Sequence, residues 1–113
     1  MSALLLVVQV LTGLAFLAYG VGCLVSPRIV AEFERFGLAR FRPLTGWLEM
    51  AGGAGLLVGA RWSSLGLAAA AGLMTLMVLG VWARVRVGDP VVAMLPALAF
   101  LGINAALVVA LLP

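Results

Sequence analysis

Four apolar runs dominate the chain: Ala3 to Val25, Leu44 to Ala60, Trp62 to Ala83 and Val91 to Leu112. Together they hold one charged side chain, Glu49. Every other charge falls in three short clusters, Arg28 to Arg42, Arg61, and Arg84 to Asp89. A helix needs roughly 20 mostly apolar residues to cross about 30 Å of hydrocarbon. Three runs meet that length, and the second, which carries the carboxylate, is shorter. Lipid offers no partner for a free peptide group, so such runs cross as helices or as strands of a closed barrel. Uninterrupted apolar runs without period-2 alternation specify helices. The expected fold is all-α: a transmembrane antiparallel four-helix bundle, forming one domain over residues 1–113 with spans at about 3–25, 44–60, 62–83 and 91–112.

Composition agrees with a lipid-covered protein. The chain is 65% hydrophobic and 10% charged, whereas a soluble domain is nearer half apolar and a quarter charged, roughly. A small globule cannot hide that much apolar surface from water. The formal charge of +3 comes from seven arginines against four acids, with no lysine or histidine. The arginines flank spans and form no basic stripe, which excludes nucleic acid as a partner. Without histidine, neither a Ser-His nor a Cys-His pair exists. A lone cysteine, Cys23, leaves no cluster of metal ligands. No catalytic residue and no metal site are assigned, and a stand-alone enzyme is not expected.

With four spans, Arg61 lies on the side of both termini, and Arg28, Arg35, Arg40, Arg42, Arg84 and Arg86 lie on the other. Basic residues in short loops stay cytoplasmic. The expected location is the plasma membrane, multi-pass, with both termini non-cytoplasmic.

The segment after the first span reads as a short amphipathic helix lying in the interface. Ser26-Pro27 is a cap followed by proline, Gly37 is a stop, and Ile29, Phe33 and Phe36 share a face opposite Arg28, Glu32 and Arg35. Ser63 or Ser64 is expected to cap the third span, and Asp89 the fourth. Trp47, Trp62 and Trp82 fall near span ends, as an aromatic belt requires. Gly55 with Gly59, Ala18 with Gly22, Ala68 with Gly72, and Gly102 with Ala106 are small-x-x-x-small pairs that suit close packing in lipid. Their number suggests a homodimer, a homo-oligomer in which faces left over from one bundle are buried.

A carboxylate at membrane depth marks a functional site by default. At about 1.5 Å per residue, Tyr19 reaches the depth of Glu49, and Cys23, Arg84 and Arg86 lie nearer the same surface. Thr45, Gly46, Gly52, Gly53 and Leu56 share Glu49's face, small residues that suit an interior with room for a ligand. The candidate ligand or polar pocket is therefore Glu49, Tyr19, Thr45 and Arg84. Gln9, Thr12 and Asn104 form a second polar group toward the other leaflet. Three roles for Glu49 stay open: a register-fixing carboxylate satisfied by Arg84, Tyr19 or a backbone group, an anchor for a lipophile such as a quinone, or a proton-coupled transport carboxylate.

Several stretches together resemble the DoxX-like family of small four-helix integral membrane proteins. They are Ala15-Phe16-Leu17-Ala18-Tyr19-Gly20, the segment Pro27 to Gly37, and above all Arg42-Pro43-Leu44-Thr45-Gly46-Trp47-Leu48-Glu49-Met50-Ala51-Gly52-Gly53. The methionine-bearing third span running into Arg84-Val85-Arg86-Val87-Gly88-Asp89-Pro90 is also similar. Many members carry a lysine near the end of the first helix, where this chain has Gly22-Cys23-Leu24. The resemblance implies an accessory protein acting through membrane-protein partners or a bound lipophile, in an assembly or chaperone-like role. The alternative is a quinone-binding membrane subunit of a redox complex, and a small proton-coupled transporter is the third reading. No cofactor is required, although a quinone or other lipophile is compatible with the site.

Overall fold

A computed structural model describes residues 2–113. Five α-helices follow one another: α1 (Ala3–Val25), α2 (Pro27–Arg35), α3 (Arg42–Val58), α4 (Ser63–Arg86) and α5 (Val91–Leu111), with one 3-10 turn at Ala39–Phe41 before α3. Among the described residues there is no strand. Helices α1, α4 and α5 are long and apolar enough to cross a membrane. Their outward faces carry large exposed apolar side chains such as Leu4, Val92 and Val109, a surface suited to lipid.

Glycine sets the packing of α1 against α3, which run in opposite directions. Gly13 faces Gly53 and Gly20 faces Gly46, seven residues apart on each helix. A Cβ on Gly20 would sit 2.6 Å from the Gly46 carbonyl oxygen and 2.9 Å from the Met50 nitrogen. The backbones are therefore in contact, as small residues allow in lipid. Gly46 and Gly53, expected to leave room beside Glu49, are filled by α1 instead, and Gly52 is filled by Leu73. Helix α4 runs back along α3, with Gly55 against Ala69 and Gly59 against Gly66, and α5 packs on α4. Phe16, Leu56, Ala70, Leu73 and Leu107 form the buried core between them. Gly72 and Gly102 meet nothing within 4 Å, so their small-residue pairs do not pack inside this chain.

Helix C-termini are completed across the fold. The last four carbonyls of a helix have no partner within it, and in hydrocarbon each needs one. In α3, Gly55, Leu57 and Val58 accept from the backbone of Gly59, Ala60 and Arg61. The remaining carbonyl, Leu56, accepts from Gln9 Nε2 of α1 at 2.8 Å. Reciprocally, Arg42 at the start of α3 donates through Nη1 to Cys23 O at 2.7 Å and Leu24 O at 3.3 Å, the end of α1. Arg86 donates to the Phe36 carbonyl at the end of α2. Replacing Gln9 by leucine should leave the Leu56 carbonyl stranded and cost about 1–3 kcal/mol. A detergent thermal melt unchanged from wild type would contradict this account of α3.

Two ends are closed by matching turns. Gly37 (φ 73°) and Gly88 (φ 79°) take the left-handed conformation open to glycine. Around them Gly37 N and Leu38 N bond Glu34 O and Phe33 O, and Gly88 N and Asp89 N bond Val85 O and Arg84 O, the Schellman pattern. Three expected caps are not formed. Ser26 precedes α2 without a side-chain bond, Trp62 rather than a serine caps α4, and Pro90 caps α5. Asp89 is held elsewhere, by arginines on α2 and α4.

Candidate functional site

Glu49 is buried at 8% exposure on the face of α3 that meets α1. A helical side chain leans toward its own N-terminus, which carries the carboxylate toward the end of α1. There Cys23 Sγ donates to Glu49 Oε2 at 3.2 Å. The expected partners are different. Tyr19 does not bond it, and Arg84 and Arg86 are committed to other groups. The reason is rotational: depth along the bundle places Arg84 beside Glu49, but the guanidinium is drawn to carboxylates outside the spans.

Those carboxylates form a network at the same end. Arg35 grips Asp89 with both terminal nitrogens, at 2.6 Å and 2.9 Å, and bonds Glu32 at 2.8 Å. Arg84 reaches the same two acids through Nη1 at 3.4 Å and 3.3 Å. Both guanidiniums lie over the buried Phe36 ring, 5.0 Å and 5.3 Å from its centre. The Arg35 guanidinium, and after it Arg84, hold the Asp89 carboxyl below the ordinary aspartate range, and the same contacts push Arg35 upward. A depressed carboxyl stabilises the fold above its unfolded pKa, about 3.9, and that contribution is lost as pH falls through the lowered folded value. Docking of α2 should therefore weaken in acid. Asp89→Asn should flatten this dependence when α2 protection is followed by hydrogen exchange against pH, and an unaltered profile would exclude Asp89 as its source.

A cavity of about 150 Å³ opens between the helices above this network. Phe16 and Tyr19 of α1, Glu49 of α3, Met77 and Arg84 of α4, and Ala93, Pro96, Ala97 and Phe100 of α5 line it. The Phe16, Tyr19 and Phe100 rings touch one another, with centroids 5.1 Å to 6.3 Å apart and planes inclined at 54° to 86°. Tyr19 is 45% exposed and Pro96 is exposed, so the cavity communicates with the lipid side. A space of this size accepts a single ring or a head of similar bulk.

Of the four residues expected in the pocket, the structure brings Glu49, Tyr19 and Arg84 together around this cavity. Thr45 is not among the lining residues, and its hydroxyl donates to the Phe41 carbonyl one turn back, at 2.8 Å. Sequence reasoning missed Phe16, Phe100, Met77 and Pro96 as lining, and Cys23 as the partner of Glu49. A signal for the first helix was present: Phe16, Tyr19 and Cys23 recur at three and seven residues, one helical stripe. Gln9, Thr12 and Asn104 are buried, with Gln9 and Asn104 at 0% and Thr12 at 4% exposure. Gln9 Oε1 and Asn104 Oδ1 have no partner among the described residues, and no group that could hold a metal ion occurs among them.

No curated protein and no solved structure matches the chain. Residues 7–110 fit the model of the DoxX-like family, and with nearly its whole length covered the chain belongs to that family.

Proposed function

We propose that this protein is an accessory membrane component that holds a lipophilic molecule in the Glu49 cavity and acts with membrane-protein partners, without catalysing a reaction alone. The observation that carries it is the cavity itself: one carboxylate, one phenol and one guanidinium around an otherwise apolar, lipid-facing space. Ligand sites have this make-up, apolar walls with a few placed polar groups. Ala97→Phe should fill the space without breaking a polar contact. Native mass spectrometry of protein extracted gently from membranes should then show a retained lipophile on the wild type that is absent from Ala97→Phe. A wild type carrying nothing, indistinguishable from the variant, would overturn the reading.

A second reading, a quinone-binding subunit of a redox complex, is favoured by the joint presence of Tyr19 and Glu49 on the cavity wall. Quinone titration of wild type and Glu49→Gln tests it, since equal binding removes Glu49 from that role.

The same proposal includes the membrane arrangement: a single domain in which α1, α3, α4 and α5 all cross the plasma membrane as an antiparallel four-helix bundle. Helix α3 has 17 residues, about 25 Å at 1.5 Å per residue, close to the hydrocarbon thickness. Arg61 alone then faces six arginines across the membrane, which supports termini outside the cytoplasm. Labelling of Ala39→Cys from the outer face would reverse this orientation. The unpacked Gly72 and Gly102 faces support a homodimer, which a monomer mass in native-like lipid by mass photometry would refute.

A further inference from the structure

The charges around the cavity bear on what kind of head group it takes. Arg35 and Arg84 share Glu32 and Asp89, two cations against two anions. Arg42 is turned to the carbonyls ending α1, and Arg86 to the Phe36 carbonyl and the Trp82 ring. Glu49 is left in no ion pair among the described residues. Its one hydrogen bond comes from a neutral thiol, through Oε2, so Oε1 has no protein donor. Ionising Glu49 at this depth needs a counter-charge that the described residues do not supply, because taking an ion out of water is costly unless it is paired.

Beside it stand Phe16, Tyr19 and Phe100, mutually inclined rather than stacked. Aromatic rings attract an ammonium group held over a face within about 6 Å of the ring centre, and three such rings line this cavity with Glu49. A neutral carbonyl ligand would satisfy Tyr19 or Arg84 but leave Glu49 without a counter-charge. An anionic head would be repelled by it. We propose that the Glu49 cavity binds the cationic head of a lipophilic amine or quaternary ammonium amphiphile, the head pairing with Glu49 against the aromatic wall of the cavity and the tail passing into lipid beside Tyr19 and Pro96. This rests on the cavity being a lipophile site. Arg84 does not oppose it, because its charge is balanced by Glu32 and Asp89.

The test is isothermal titration in a neutral maltoside detergent with three probes: dodecyltrimethylammonium, its neutral analogue ending in a tert-butyl group, and a short-chain ubiquinone. The ammonium probe should bind wild type at least about tenfold more tightly than the neutral analogue, a difference worth about 1.4 kcal/mol. Glu49→Gln should abolish that difference, through loss of the ammonium probe's affinity. Phe100→Leu, which keeps an apolar side chain but removes one ring, should weaken the ammonium probe more than the neutral analogue, and it serves if Glu49→Gln fails to fold. Equal binding of ammonium and neutral analogue to wild type overturns the cation inference and leaves the lipophile reading standing. Glu49-dependent binding of the quinone without binding of the ammonium probe overturns it in favour of a carbonyl ligand. Binding of no probe overturns both.

Discussion

Leucine in place of Gly20 should collapse the stability of the detergent-solubilised protein. Even the first added atom would lie 2.6 Å from a backbone oxygen of α3 and 2.9 Å from a backbone nitrogen. Neither can move without separating α1 from α3. Overpacking a well-fitted interior costs about 1–3 kcal/mol and sometimes more, and Gly20→Leu belongs at or above that range. Gly80→Leu, away from the two glycines proposed for the dimer, is the matched control. Its Cβ direction is open, so the added side chain enters lipid, and leaving glycine in a helix gains up to about 1 kcal/mol. Thermal unfolding of the two variants side by side reads the difference. Similar melting of both would mean that the α1–α3 contact does not govern stability.

The second large effect is expected at Arg42. Its guanidinium completes two carbonyls at the end of α1, and hydrogen bonds from charged groups are worth about 1.5–3 kcal/mol. Arg42→Met should lose an amount in that range. Arg28→Met makes the same change of charge at an exposed position of α2 and should lose little. If both variants lose stability equally, the effect belongs to net charge or lipid contact and not to the end of α1.

Arg42 also shows what the sequence could and could not reveal. As a residue beside a span it reads as a topology determinant, because charge and position are visible in the chain. Which carbonyl its side chain reaches depends on how α1 and α3 are rotated against one another, and no periodicity encodes that. Helix positions were legible to within three residues: the runs 3–25, 44–60, 62–83 and 91–112 appear as Ala3–Val25, Arg42–Val58, Ser63–Arg86 and Val91–Leu111, the largest shift arising where α4 continues past the apolar run through Arg84 and Arg86. The caps were less legible. Ser63 and Asp89 are good capping residues in isolation, but Trp62 takes the extended backbone before α4 and Arg35 takes the Asp89 carboxylate. For Glu49, depth was readable and azimuth was not. Tyr19 and Arg84 were thus found as neighbours on the cavity, while Cys23, the atom that bonds the carboxylate, was not.

The exchange of end caps between α1 and α3 has a consequence for biosynthesis. Translation delivers α1 first, with the Cys23 and Leu24 carbonyls still waiting for a donor that lies in Arg42. When α3 follows, its own last open carbonyl finds Gln9 already in place. Neither helix is complete as a solitary inserted segment, and both become so in the same step. Helices α1 and α3 should therefore leave the insertion machinery as a hairpin, with α4 and α5 added to a pair that has already closed.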